Sequence, residues 1–386
     1  MSEWSKYNLG QIINLKRGYD LPNSKRDNGD IPIISSSGIS GYHNDYKEVG
    51  PGVVTGRYGT LGKIFYIHPN QKYWPLNTTL FVEDFKGNVP EYIFYFLKTL
   101  GFAKQGHKSA VPGLNRNELH EIHVKIPQIK IQKQIAKTLS NLDNKITLLH
   151  QQNQTLEELA QTLFKRWFVE FEFPDENGRP YKSSGGKMVE SELGEIPEGW
   201  RVYQIKDLTS NIQYGFTQSS SEEEVGPKFL RITDIQGGKI DWLNVPYCEI
   251  NEKELNKYRL TNGDIVVART GASTGENLYI HKCPDAVFAS YLVRFQFENK
   301  SVGRIIGLLM RTNYYKQFVR NILGGSAQPN ANAQQLSEAE IVLPINEELL
   351  FNFYSSIFKI DDKMYNNQDE IQTLTQLRDT LLPKLM

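Results

Sequence analysis

Trp200-Arg201-Val202-Tyr203-Gln204-Ile205 repeats, past the middle of a 386-residue chain, the pattern Trp4-Ser5-Lys6-Tyr7-Asn8-Leu9 near its start. Working outward from that pair, Gly56-Arg57-Tyr58-Gly59-Thr60-Leu61-Gly62 parallels Ala268-Arg269-Thr270-Gly271-Ala272-Ser273-Thr274-Gly275 with one residue inserted. Phe65-Tyr66-Ile67-His68 parallels Leu278-Tyr279-Ile280-His281, and Ser109-Ala110-Val111-Pro112-Gly113-Leu114-Asn115 parallels Ser326-Ala327-Gln328-Pro329-Asn330-Ala331-Asn332. Both copies then run through a leucine, Leu119 or Leu336, to a proline, Pro127 or Pro344. Five matched segments in one order mean a duplicated domain, and a repeat of this kind sets the architecture before any motif does. The second copy is the longer, in part through an acidic, serine-rich insertion at 219–227.

Within a copy, short β-like runs (31–35, 53–56, 63–67 and 79–82 in the first) accompany one helix expected over 90–104, opened by Pro90. Proline suits a first helical turn because its missing N–H has no partner there anyway. A long helix follows each copy. The expected division is therefore 1–128 for the first domain, 129–170 for a central helix, 171–196 for a linker, 197–345 for the second domain and 346–386 for a C-terminal helix. The linker reading rests on Gly, Pro, Ser and charge in that stretch.

The two long helices fit each other. Ile135, Leu142, Leu149, Leu156 and Leu163 recur every seven residues, as do Leu139, Ile146, Asn153, Ala160 and Trp167. The C-terminal segment repeats the pattern with Phe353, Ile360, Asn367, Leu374 and Leu381, and with Ile357, Met364, Ile371, Arg378 and Leu385. Such alternation over more than four heptads is a coiled-coil seam. Run antiparallel with Asn153 opposite Asn367, the seams match throughout: Ile135 meets Leu385, Leu156 meets Met364 and Trp167 meets Phe353. Only Leu142 opposite Arg378 is a poor layer. A seam asparagine fixes register because an amide left opposite leucine is an unpaired buried group. The expected fold is thus α+β: two duplicated α/β domains, each followed by a long helix, the helices pairing as an antiparallel coiled coil of roughly 50 Å.

Composition excludes several classes. Hydrophobic residues are 39% and charged residues 23%, as in ordinary globular domains. No run approaches the ~18 apolar residues of a membrane-spanning helix, and the polar start lacks the apolar region of a signal peptide. The two cysteines, Cys248 and Cys283, cannot build a disulfide framework or a Cys-rich zinc site, so a reducing cytoplasm is expected. Lys and Arg total 44, as do Asp and Glu, yet residues 1–128 hold 15 basic and 11 acidic side chains, whereas 197–345 hold 16 of each.

Catalytic motifs mostly fail. Gly62-Lys63 is followed by Ile64 and preceded by Arg57 where a phosphate loop needs glycine. Gly50-Pro51-Gly52 lacks the third glycine of a dinucleotide fingerprint. His120-Glu121-Ile122-His123 is one residue short of the spacing that puts two zinc-binding histidines on one helical face. One short match remains: Asp285, Glu298 and Lys300 have the form of a nuclease site in which two carboxylates and a lysine hold Mg²⁺. The first copy has no counterpart, the pattern is short and degenerate, and surface charge is the better explanation of the match.

The duplicated Gly-rich turn is the better candidate. Glycine lets backbone approach a phosphate or groove closely, and an arginine can bond guanine bidentately or neutralise a phosphate. Arg57 with Tyr58, Thr60 and Lys63, and Arg269 with Thr270 and Ser273, are candidate DNA contacts. A shared arginine beside different neighbours is what two different half-sites require; a purely structural arginine accounts for the same pattern. Lys104 and Lys108, beside His107, are candidate phosphate contacts or members of a solvated loop. Gln328, Asn330 and Asn332 can read adenine edges or cap turns.

The helix start Ile126-Pro127-Gln128 with Ile131-Gln132-Lys133-Gln134-Ile135-Ala136, the run Leu163-Phe164-Lys165-Arg166-Trp167-Phe168, and Glu192-Leu193-Gly194-Glu195-Ile196-Pro197-Glu198-Gly199-Trp200 before the second copy together resemble the DNA specificity (S) subunit of Type I restriction–modification systems. The resemblance covers the whole chain. It implies two target-recognition domains, each reading one half of a bipartite, asymmetric site in double-stranded DNA, and helical spacers that set the half-site separation and dock two methyltransferase (M) subunits. It also implies no catalysis, no metal and no cofactor in this chain, S-adenosylmethionine belonging to the M subunits and ATP and Mg²⁺ to restriction (R) subunits. The second helix departs at Leu349-Leu350-Phe351-Asn352, which puts equal docking of the two M subunits in question. A duplicated chain makes a pseudo-two-fold, suited to half-sites about one DNA turn, ~34 Å, apart. Two further readings stand beside it: the Mg²⁺-dependent nuclease, and an adaptor that binds only protein.

Overall fold

The computed structural model describes residues 4–102, 113–324 and 330–386. It has two compact units, Met1–Leu149 with Glu370–Met386, and His150–Asp369. The division cuts both long helices, Ile129–Phe168 and Glu347–Leu385, so each unit holds one copy of the repeated domain and a stretch of each helix.

In the first unit the opening strand Trp4–Asn8 pairs antiparallel with Pro127's strand, His123–Pro127, Trp4 lying opposite Pro127. Between them lies an antiparallel sheet in the order Asn14–Arg17, Thr79–Asp84, Gly52–Gly56, Ile64–Ile67. A second sheet includes the parallel pair Ile31–Ser35 and Lys72–Pro75. Gly52–Gly56 is buried at every position because it is central and covered on both faces. Side chains alternate across it: Val53 joins Leu80, Val82, Tyr92 and Ile93 of one cluster, and Val54 joins Phe81, Ile34 and Tyr73 of another. Each such buried side chain contributes about 1.5–3 kcal/mol. The helix on the first face runs Pro90–Thr99, shorter than expected, with Gly101 beyond it at a left-handed φ of 62°.

The second unit repeats this plan. Trp200–Gln204 pairs antiparallel with Glu340–Pro344, again Trp opposite Pro. Its four-stranded sheet has the order Asn211–Tyr214, Leu292–Gln296, Ile265–Ala268, Asn277–Tyr279, and a parallel pair, Lys228–Leu230 with Ala286–Phe288, stands beside it. The insertion at 219–227 is tied down where Ser221 and Tyr247 exchange two backbone hydrogen bonds of 2.8 Å.

The helices pair antiparallel in the expected register. In the second unit, Asn367 Nδ2 donates to Asn153 Oδ1 at 2.8 Å and Asn153 Nδ2 to the Met364 carbonyl at 3.2 Å. The Trp167 and Phe353 rings lie 5.2 Å apart. In the first unit, Ile135 and Leu139 pack in one cluster with Leu381 and Leu385. The poor layer is resolved by a neighbour: Arg378 Nη1 reaches Asp143 at 2.8 Å, and Asp143 also accepts from the Tyr95 hydroxyl at 2.7 Å.

The stretch 171–196, expected as a linker, is folded. Phe173 stacks on Tyr181 and Trp200 at 4.5 and 5.0 Å. Met188–Ser191 and Gly194–Pro197 form a hairpin. Phe171, Phe173 and Ile196 are buried, so aromatic burial outweighs the flexibility that Gly, Pro and Ser suggest.

Candidate nucleic-acid interface

The two arginine turns are built alike. Arg57 follows strand Gly52–Gly56; its N–H donates to the Thr78 carbonyl at 2.8 Å and its carbonyl accepts from Leu114 N–H at 2.9 Å. Arg269 follows strand Ile265–Ala268; its N–H donates to the Tyr291 carbonyl at 3.1 Å and its carbonyl accepts from Ala331 N–H at 2.9 Å. Each guanidinium lies over a tyrosine ring, Arg57 over Tyr58 at 4.6 Å and Arg269 over Tyr214 at 4.9 Å. Neither has a carboxylate partner among the described residues. Arg57 donates to the Tyr58 hydroxyl at 3.3 Å, and Arg269 Nε to the Ser290 carbonyl at 3.1 Å.

The turns differ where the sequence differs. A Cβ at Gly56 would stand 2.1 Å from the Thr60 carbonyl. Glycine is therefore required there, whereas the turn one residue longer in the second unit accommodates Ala268. Tyr58, Thr60 and Lys63 are exposed. Thr270 and Ser273 are half-buried, the Ser273 carbonyl accepting from Glu276 N–H at 2.9 Å. The Tyr58 backbone bridges to Gly113, and Thr270 to Asn330, so Asn330 does stand beside its arginine turn. Asn332 is committed differently: its Oδ1 accepts from Gln335 N–H at 2.8 Å, capping helix Ala333–Leu336. Lys104, His107, Lys108 and Gln328 lie outside the described residues.

The rejected motifs have local explanations. His120 Nε2 accepts from Leu15 N–H at 3.0 Å, and His123 Nδ1 meets Asn8 Oδ1 at 2.7 Å. Asp285 faces Arg259 at 3.5 Å, and Lys300 opens helix Lys300–Leu309, capped by Asn299 rather than Glu298. Among the described residues no group of three or more His, Cys, Asp or Glu is placed to hold a metal ion. Burial pushes the thiols of Cys248 and Cys283 up to about 11 and about 12, away from thiolate chemistry.

Sequence reasoning missed two participants. Arg17 and Arg116 line the same cleft as Arg57 and Tyr58. Neither lies in a repeated segment, so no signal in the sequence marks it; Arg17 ends the edge strand facing Leu80. Gln132 was quoted only as part of a motif. Its buried amide donates to Asn88 Oδ1 and the Pro127 carbonyl and accepts from Val89 N–H, all within 3.0 Å, locking the start of the long helix to helix Pro90–Thr99.

Two copies of one sheet, each presenting an arginine turn, joined by paired helices, define a duplicated recognition-type protein. The chain matches the family described as the Type I restriction modification DNA specificity domain, over residues 1–158 and 197–379, and it belongs to that family. It is 31% identical over 268 residues to the Type I restriction enzyme MjaVIII specificity subunit of Methanocaldococcus jannaschii, spanning 67% of this chain and 60% of that relative. It is 23% identical to the HindI specificity subunit of Haemophilus influenzae, covering 100% of this chain and 99% of that one. The fold is shared with the crystal structure of a Type I S subunit from M. genitalium, at a TM-score of 0.65, 16% identity and coverage of 99% and 96% of the two chains.

Proposed function

We propose that this chain is the non-catalytic DNA sequence-specificity subunit of a Type I restriction–modification complex. The observation that carries the reading is the pair of arginine turns: one backbone frame, used twice, with different side chains around it. Residues 1–128 read one half of a bipartite, asymmetric site in double-stranded DNA through Arg57, Tyr58, Thr60 and Lys63. Residues 197–345 read the other through Arg269, Thr270, Ser273 and Asn330. The helices 129–170 and 346–386 hold the half-site spacing and dock two methyltransferase subunits. S-adenosylmethionine is carried by those subunits, and ATP and Mg²⁺ serve restriction subunits where present; the work is done in the cytoplasm. Near-zero net charge makes the chain alone a weak DNA binder, partners supplying most phosphate contacts. The test is a library of site variants methylated by the reconstituted complex. Arg57→Ala relaxes one half-site and Arg269→Ala the other, by about 1–3 kcal/mol for a lost bidentate base contact. Uniform weakening across all sequences makes these arginines phosphate contacts, and no effect makes them structural.

A further inference from the structure

The two repeated domains differ in the residues that flank the arginine turn. In the first unit Arg57, Arg17 and Arg116 line a cleft of about 710 Å³ with Leu80 and Leu114 among its walls. Among the described residues Arg17 is paired only with exposed Asp20 three residues on, at 3.2 Å, and such pairs are weak. Arg116 forms no ion pair among the described residues. The one acid on the lining, Glu118, already accepts from Asn115 Nδ2 at 3.2 Å. Among its described lining residues the cleft therefore holds a surplus of two positive charges with donors unspent.

The equivalent place in the second unit is closed. Tyr214 faces Val293 as Arg17 faces Leu80, and Ala333 follows Asn332 as Arg116 follows Asn115. The Tyr214 hydroxyl accepts from Ala333 N–H at 3.0 Å, and its ring lies under Arg269. Two guanidinium groups are thus replaced by a tyrosine bridge, leaving one.

We propose that Arg17 and Arg116, in the cleft they share with Arg57, seat a backbone phosphate of DNA beside the base contact of Arg57, so that the first domain also anchors the complex electrostatically. Two guanidinium forks can bond different oxygens of a tetrahedral phosphodiester. A base edge lies in one plane and uses one fork. This rests on the DNA-specificity reading above and adds to it a ligand class for two residues outside the repeat.

The experiment measures affinity of the complex with co-expressed methyltransferase subunits for duplex DNA against salt. The double variant R17Q/R116Q lowers the steepness of log K against log salt by about 0.9, the share of one phosphate contact. It weakens cognate and scrambled duplexes by the same factor, and R17K/R116K restores most of the slope. An unchanged slope in the glutamine variant overturns the cleft, as does a loss confined to the cognate duplex, which assigns the pair to base readout. A wild-type complex with no salt-dependent DNA affinity removes the specificity reading itself, an outcome seen before any variant is made.

Discussion

Asn367 is fully buried; its Nδ2 donates to Asn153 Oδ1, while its own Oδ1 has no partner among the described residues. A lone replacement, Asn367→Leu, strands the Asn153 carbonyl and is expected to lower stability by about 1–3 kcal/mol. Replacing both, N153L/N367L, recovers most of that loss in chemical denaturation, because an apolar layer leaves nothing unpaired. This pair was legible in the sequence because heptad spacing and a shared polar interruption suffice to set it. His120 was not. Its role depends on Leu15, 105 positions away, donating to Nε2. Burial, then Arg116 and Lys86, hold its pKa below the ordinary value. The folded state thus keeps the ring neutral while the unfolded chain takes up a proton near pH ~6.5. Stability is therefore expected to fall as pH drops through about 6.5, and His120→Gln to flatten part of that slope, measured by thermal unfolding across pH. His281, whose pKa is also lowered chiefly by burial, retains the rest.

Among elements, the C-terminal helix is fastened to the second domain by a buried ion pair. Arg304, on helix Lys300–Leu309, meets Asp361 bidentately at 2.7 and 2.8 Å. Asp361→Ala leaves that guanidinium buried without its charge partner and is expected to cost about 3–5 kcal/mol, read by urea denaturation of the full chain. The coiled-coil register and the sheet strands were legible, because seven-residue and alternating patterns are local. The folded segment at 171–196 was not. Its order comes from Phe171 and Phe173 reaching Trp200, and composition carries no record of which distant ring an aromatic will meet. The cleft arginines escaped for a similar reason: Arg17 and Arg116 are 99 positions apart and converge only once the sheet has formed.

For the molecule as a whole, the duplication was legible from Trp4 to Pro127 and from Trp200 to Pro344; that each Trp pairs across strands with its Pro was not. Which side chains read bases was not, since the repeat conserves the frame and varies the contacts. The helix pairing has its own check. Ile135→Cys and Leu385→Cys, which share one cluster in the first unit, are expected to crosslink, whereas a crosslink from position 135 to position 353 would make the helices parallel.

The central claim is that one chain dictates a bipartite target. The direct measurement is methylome sequencing of cells expressing the methyltransferase subunit with and without this chain. The account predicts a split methyladenine motif that appears only when the chain is present. Stable association of the two proteins with no motif would contradict it, and would leave the chain a protein-binding adaptor.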